Sequence, residues 1–422
     1  MAPGGAQIVV LQRHDHRGQT VVAFTRADVD YLTSGTGAAA LAEIADYPLT
    51  EDRLLADVAT VRNRFGDRAA VLIETVRLRR RAQAKFSDLP GPVGMSGIDA
   101  SDWLFTDDAL QQATAAAVAR HRAGRLSGLM VHDATCSIGS ELAALRDTAR
   151  FVMGSDLDEV RLAMARHNLG PEVALCRADA LRPVSRDAVV LLDPARRSGS
   201  RRRFDPRSYT PPLDGLLEAY RGRPTVVKVA PGIDFAALAG FGFDGEIEVT
   251  SLGGSVREAC LWSAPLATAG VRRRATLLDR GEVLTDADPD GCGSGPPGRW
   301  IIDPDGAVVR AGLVRHYAAR HGLWQLDPAI AYLTGDRLPA GVRGFEILDR
   351  LPVRDKALRQ ALAAHDCGSL EVLVRGVDVD PDALRRRIRP SGTVPLSLVI
   401  TRIGAGRDGH GVAFLCRASS GG

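Results

Sequence analysis

The stretch Leu129-Met-Val-His-Asp-Ala-Thr-Cys-Ser-Ile-Gly139, continued by Ser140-Glu141-Leu142, decides how this chain is read. A short β-rich run stops at Asp133, a turn of mostly small side chains follows, and a helix opens at Ser140. Small side chains let a ligand approach the backbone, and the first amides of the helix accept its polar groups. The pattern recurs. Runs at 151–155, 173–177 and 188–192 stop at Asp156, at Ala178-Asp179-Ala180 and at Asp193-Pro194-Ala195-Arg196-Arg197, and 23 positions separate Asp133 from Asp156 and Asp156 from Asp179. In an open α/β sheet, ligands sit outside the carboxyl ends of the strands. An acidic residue about 20 positions after the first turn is placed to meet ribose hydroxyls. The absence of G-x-G-x-x-G disfavours a dinucleotide, whose pyrophosphate needs those glycines. The set suits an adenosine ligand without phosphates.

Further runs at 225–229, 246–251 and 259–263 alternate with helical stretches, which predicts a parallel sheet covered on both faces. Leu252-Gly253-Gly254-Ser255-Val256 is too short for a crossover, so the seventh strand is expected antiparallel. Upstream, apolar residues at three- and four-residue intervals predict helices at 38–45, 52–65, 69–86 and 107–122, the last capped by Thr106. Downstream, a hairpin at 275–284 and a Gly/Pro/Asp loop at 286–298 lead into alternating elements: a strand at 300–302, a helix at 304–319, strands at 343–348, 369–374, 396–401 and 412–415, and helices at 355–364 and 381–388. The expected fold is α/β: a Rossmann-like seven-stranded sheet whose last strand is antiparallel, at 126–269. A helical unit at 25–125 precedes it, a small α+β domain at 270–422 follows, and residues 1–24 form an extended appendage.

The chain has 422 residues, 45% hydrophobic and 25% charged, which excludes wholesale disorder and a disulfide scaffold and exceeds one hydrophobic core. Its 54 basic and 51 acidic residues nearly cancel, so total charge says little about nucleic acid. Lys85, Lys228 and Lys356 are the only lysines against 51 arginines, a bias that weakens any argument from arginine content. Six separated cysteines without C-x-x-C or paired histidines predict no metal site and mostly buried thiols. No apolar segment approaches the roughly 20 residues that span a bilayer, so a cytoplasmic protein without membrane contact is expected.

These residues resemble a known family. Leu129–Gly139, Gly154-Ser-Asp-Leu-Asp158, Arg177-Ala-Asp179 and Leu191-Leu-Asp-Pro-Ala-Arg196 are similar to motifs I to IV of class I S-adenosylmethionine-dependent methyltransferases. Phe105-Thr-Asp-Asp-Ala-Leu-Gln-Gln-Ala-Thr114, Ala163-Met-Ala-Arg-His-Asn-Leu169, Arg257-Glu-Ala-Cys-Leu-Trp262, Asp327-Pro-Ala-Ile-Ala-Tyr-Leu-Thr334 and Arg375-Gly-Val-Asp-Val-Asp-Pro381 resemble the bacterial subgroup with a THUMP-like C-terminal domain. The resemblance implies S-adenosylmethionine as cofactor. Asp133 would then meet its amine, and Thr135, Cys136 and Gly139 would form the turn around it. Asp156 would hold the ribose, Leu157 would pack on adenine, and Asp179 and Ala180 would meet the adenine edge. Ser137 departs from the glycine common at its position. Asp193 and Pro194 occupy the catalytic motif, nearer the D-P-P-R form of several RNA methyltransferases than D-P-P-Y.

No cysteine sits where carbon-5 pyrimidine chemistry needs one, since Cys260 falls within a strand, so a base nitrogen in structured RNA (tRNA or rRNA) is the expected target. Arg196, Arg197, Arg201, Arg202 and Arg203 crowd the loop after Asp193, where phosphates of an RNA would lie. A metabolite or protein methyltransferase, and a non-catalytic RNA-binding protein on this fold, are the alternatives. Among bland readings, His132 and His167 are a strand-edge and a helix-surface residue, and Cys136 serves by its size. Arg77, Arg81 and Lys85 share a helix face, and the runs at 272–274 and 385–387 are solvated.

Overall fold

The structure, a computed structural model, describes residues 12–14, 20–86, 101–196, 208–404 and 409–420. It divides into two compact units, one drawing on Met1–Gly245 and Cys260–Leu266, the other on Glu246–Ala259 and Ala267–Gly422.

In the first unit, helices α1 (Arg26–Leu32), α2 (Gly35–Ile44), α3 (Leu54–Phe65), α4 (Ala69–Phe86), α5 (Asp107–Gln112) and α6 (Ala116–Arg125) precede the sheet. Side-chain oxygens start three of them: Thr25 in a capping box with Asp28, Ser34, and Thr106 as expected. The helix expected over 107–122 is two, separated by Ala113-Thr114-Ala115. Val29, Leu41, Leu72, Leu78 and Phe86 of the helices share one apolar core with Val131, Leu142, Met164 and Val189. Phe86, Trp103 and Phe105 pack with ring centroids about 6 Å apart. Before α1, Gln12–His14 pairs antiparallel with Thr20–Val22, a ribbon within the stretch read as lacking elements.

Strands β1 (Met130–Asp133), β2 (Phe151–Asp156), β3 (Ala174–Arg177), β4 (Val189–Leu192) and β5 (Thr225–Val229) run parallel in the order β5-β4-β1-β2-β3. Beyond β5 lies Cys260–Trp262, the end of a strand that begins at Ser255. Helices α7 (Ser140–Leu145), α8 (Glu159–Leu169) and α9 (Leu213–Ala219) are the connections. The chain builds outward from β1 to β3 and then returns to β1's other side with β4, so strand order reverses between β1 and β4, the place where such sheets hold ligands. His132 corrects the strand-edge reading: β1 is central, and the imidazole is fully buried between the Ser185 and Ser155 hydroxyls, 2.9 Å from each. Burial, with Arg223 nearby, lowers its pKa to about 4, so it is neutral and structural.

The second unit contains β6 (Glu246–Leu252) and β7 (Ser255–Trp262), the latter contributing its residues through Ala259. They are joined by Gly253 and Gly254 at φ +62° and +70°, the positive pair that a tight hairpin turn requires, so the two strands are antiparallel. Strand β8 (Arg273–Leu277) runs parallel to β6 and pairs antiparallel with β9 (Glu282–Thr285), the expected hairpin.

A separate sheet comprises β10 (Trp300–Ile302), β11 (Trp324–Gln325), β12 (Leu333–Gly335), β13 (Arg343–Pro352), β14 (Cys367–Arg375), β15 (Val394–Ile403) and β16 (His410–Ser420), in the order β11-β12-β10-β13-β16-β15-β14. The alternation along β15 shows its two faces. Leu396, Leu398 and Ile400 pack with Leu358 and Leu384 of α12 (Asp355–Ala364) and α13 (Pro381–Ile388), while Val399 joins Phe345 and Phe414 on the other side. The helix expected over 304–319 is interrupted by Gly312, which ends α10 (Gly306–Ala311) in a left-handed cap before α11 (Val314–His321).

The basic clusters are mostly committed within the protein. On α4, Arg80 donates to the carbonyls of Ala45, Tyr47 and Pro48, Arg79 to those of Asp102 and Trp103, and Arg81 to Asp107. Arg274, read as solvated, is paired at 2.6 Å with the fully buried Glu246. Among the described residues no helix is long and apolar enough to cross a membrane, and no group of His, Cys, Asp and Glu could hold a metal. All six cysteines are free, and all but Cys176 are buried.

Candidate active site

The turn after β1 is held in shape by its own backbone and by the strands beside it. The Thr135 N–H donates to Asp133 Oδ1 at 3.1 Å, and the Thr135 hydroxyl accepts from the Asp193 N–H at 2.6 Å, tying the ends of β1 and β4 together across the reversal in strand order. The Ser137 N–H donates to Asp156 Oδ2 at 2.9 Å, while the other Asp156 oxygen accepts from the Asp158 N–H at 2.9 Å. Ser137 has φ +50°, the left-handed region that favours glycine, which explains why its position often carries one.

Gly139 has φ +90°, and a Cβ there would stand 2.6 Å from the Leu169 side chain. Its hydrogen atom therefore allows the left-handed start of α7 and the packing of α8. Gly154 inside β2 was not singled out from sequence; a Cβ on it would meet Leu142 at 2.5 Å and Cys136 Cβ at 3.0 Å. Asn168 was also missed as an anchor. Its amide donates to the Ile138 and Leu104 carbonyls and its oxygen accepts from the Leu104 N–H, fastening the turn to the segment before α5.

Asp133, Thr135, Cys136, Asp156, Leu157, Asp179, Ala180 and Asp193 line one cleft of about 280 Å³ at the carboxyl ends of the strands, with Ala109, Gln112, Ser137, Glu141, Arg161 and Lys228 among the other walls. Leu157 is 61% exposed there, an apolar platform beside two carboxylates. Asp179 accepts from the Leu181 N–H at 2.9 Å. Gly139 and Pro194 do not line the cleft; Pro194 is buried beside it. The Arg196 backbone pairs with Tyr209. The Arg196 side chain and Arg197, Arg201, Arg202 and Arg203 lie outside the described residues.

A buried charge cluster at the floor of the cleft was not read from the sequence. Lys228, at the end of β5, donates to Asp193 Oδ2 at 2.5 Å, to Thr114 Oγ1 at 2.5 Å and to Glu141 Oε1 at 3.3 Å. Glu141, in the first turn of α7, also pairs with the buried Arg122 of α6. Burial works against the Glu141 charge, but Arg122 and Lys228 outweigh it and hold the pKa at about 2. Asp133 has the opposite fate: burial, and then the Glu141 charge, push its carboxyl up to about 8. Glu141 and Asp193 thus balance Arg122 and Lys228, and the raised Asp133 carboxyl keeps its proton near neutral pH. The signal for Lys228 was present in the composition, as one of three lysines in a chain that otherwise uses arginine.

The donor set fits an adenosine ligand carrying an amine: the Asp133 carboxyl at the floor, Asp156 and Asp179 along the cleft, and the exposed Leu157 beside them.

A family model described as THUMP domain-like matches residues 342–418, on the separate sheet, and a model described as a domain of unknown function (DUF8688) matches residues 25–82. A methyltransferase-like protein described as proposed, from Porphyromonas gingivalis W83, has a crystal structure similar to this chain with TM-score 0.68 at 19% identity. That match covers 94% of this chain and all of the other, so the two share a fold. Two curated relatives, from Mycobacterium tuberculosis strains CDC 1551 and H37Rv, are each named as an uncharacterized S-adenosylmethionine-dependent methyltransferase. Each is 64% identical over 362 residues, 85% of this chain and 100% of the relative. With identity of that order across the whole of both relatives and the strand-end cleft in place, the chain belongs to the S-adenosylmethionine-dependent methyltransferases.

Proposed function

We propose that this methyltransferase modifies a nitrogen of a base in structured RNA, tRNA or rRNA, with the donor held in the cleft at the reversal in strand order. The observation that carries the reading is the position of Asp193 and Pro194. They end β4 beside the donor cleft, and the Asp193 side chain is 37% exposed to it. The THUMP-like match on the same chain supports an RNA substrate.

S-adenosylmethionine supplies an already activated methyl group, so the protein's task is placement and dehydration of the reacting pair. Asp133 would receive the amine end, its proton passing to solvent as the cation binds. Asp156 accepts from the ribose hydroxyls while its bonds to the Ser137 and Asp158 amides hold it rigid. Leu157 would pack on the adenine, Asp179 would accept from its amino group with the Ala180 backbone at the same edge, and Thr135 and Cys136 shape the turn. Asp193 and the Pro194 carbonyl would accept hydrogen bonds from the target nitrogen and aim its lone pair at the methyl; as the nitrogen–carbon bond forms and the sulfur–carbon bond breaks, the nitrogen's proton would pass to solvent. Arg196, Arg197, Arg201, Arg202 and Arg203 follow directly in sequence and contact phosphates.

The test is mass-spectrometric comparison of modified nucleosides in RNA from cells with and without the gene. Loss of one N-methylated nucleoside, restored by the wild-type gene and not by Asp193→Ala, is the expected result. An unchanged nucleoside profile would refute the RNA reading and favour a metabolite or protein acceptor.

A further inference from the structure

We infer that Lys228 is a positioning residue for methyl transfer: it holds the Asp193 carboxylate by one oxygen so that the other faces the methyl-accepting atom. The inference rests on the reading that Asp193 meets the acceptor. Lys228 is 8% exposed, and its ammonium is met by acceptors from three separate elements: Thr114 from the break between α5 and α6, Glu141 from α7, and Asp193 from the end of β4. Three acceptors match the three N–H bonds of an ammonium. A planar guanidinium, with its fixed fork, does not fit a three-sided nest, which accounts for a lysine in a chain with 51 arginines.

Lys228 helps neutralise the buried Glu141, but that is not all it does. Glu141 already has Arg122, and Asp193 borders the cleft and can be hydrated. What Lys228 adds is the orientation of Asp193. Its Oδ2 is taken by the ammonium while the side chain lines the cleft, which assigns Oδ1 to the acceptor in this reading. The interruption of the predicted helix at 113–115 acquires a purpose in the same geometry, since it delivers the Thr114 hydroxyl to Lys228. Lys85 supports that segment by donating to the Leu110 and Gln111 carbonyls at 2.6 and 2.8 Å.

The experiment uses the full chain, methyl-labelled S-adenosylmethionine, and an extract of cells lacking the gene as acceptor. At saturating donor, Lys228→Met should lower the labelling rate by roughly 30-fold or more, while its donor Kd by calorimetry stays within threefold of wild type. Lys356→Met, on the exposed side of α12, should label as wild type does. Lys228→Ala should regain several-fold activity in added ethylamine, and Asp193→Ala should gain nothing from it. Should Lys228→Met melt below the assay temperature, Thr114→Val frees one side of the nest and should still cost severalfold in rate at unchanged donor affinity. Near-wild-type labelling by Lys228→Met, or loss of rate matched by equal loss of donor affinity, would overturn the inference. Ribonuclease treatment of the labelled product tests the RNA reading separately, because the Lys228 comparison holds for any acceptor.

Discussion

Asp133→Asn offers a direct check on the charge balance at the floor of the cleft. The Asp133 carboxyl ordinarily titrates at 3.8 and is pushed up to about 8 in the fold by burial and by Glu141, with Asp193 adding to the effect and Lys228 and the Thr135 N–H opposing it. The folded protein therefore keeps a proton that the unfolded chain releases near pH 4. Stability falls as pH rises from about 4 toward 8 and levels off above that, because the unfolded state binds fewer protons over this window. Four units at about 1.4 kcal/mol each set a ceiling of roughly 6 kcal/mol. Relaxation and water entering the cleft reduce this to about 2–3 kcal/mol. Asparagine keeps the Thr135 bond and carries no charge, so the variant should melt with wild type near pH 4 and above it by pH 8.5. At roughly 2–4 °C per kcal/mol, the gap should approach 4–12 °C. Thermal melts of both proteins across pH 4.5–8.5 measure it, and parallel melting curves would refute the claim that Asp133 is neutral before the donor binds.

Four further outcomes follow from the geometry. Ser137→Gly relieves a left-handed serine at some cost in chain entropy and should stabilise by about 0.5–1 kcal/mol, with donor affinity retained; a lower melting temperature would contradict it. Gly139→Ala introduces both backbone strain and a clash with Leu169, and should destabilise by about 2–4 kcal/mol in the same assay. Arg122→Met leaves the buried Glu141 with Lys228 and the Thr114 hydroxyl and should cost about 3–5 kcal/mol, whereas Arg122→Met with Glu141→Met should cost less than the single change. Asp193→Ala should bind the donor as wild type does yet fail to transfer its methyl group; equal loss of both would show that Asp193 belongs to the donor site.

Four strands of the sheet were legible because they share one feature, an apolar run with an aspartate at or just past its end, which follows from where α/β sheets hold ligands. Asp133, Asp156, Asp179 and Asp193 converge for the same reason. What was not legible depends on the third dimension. Periodicity continues through Ala113-Thr114-Ala115, so nothing local marks the helix break that Lys228 exploits. Glu141 and Arg122 look like ordinary helix-surface charges in sequence, and only the packing of α6 on α7 buries them together. His132 was misjudged because a polar residue at a strand end reads as edge exposure, while Ser155 and Ser185 satisfy both ring nitrogens inside the sheet. The basic run on α4 similarly suggested a charged face, whereas Arg79 and Arg80 hold loop carbonyls and Arg81 pairs with Asp107.

The central claim is that the methyl donor sits where four neighbouring strands end. Calorimetric titration of S-adenosylmethionine into wild type, Asp156→Ala, Asp179→Ala and Asp193→Ala tests it most directly. One site per chain is expected, with affinity at least tenfold weaker for Asp156→Ala, weaker for Asp179→Ala, and unchanged for Asp193→Ala. Wild-type affinity in both Asp156→Ala and Asp179→Ala would contradict it.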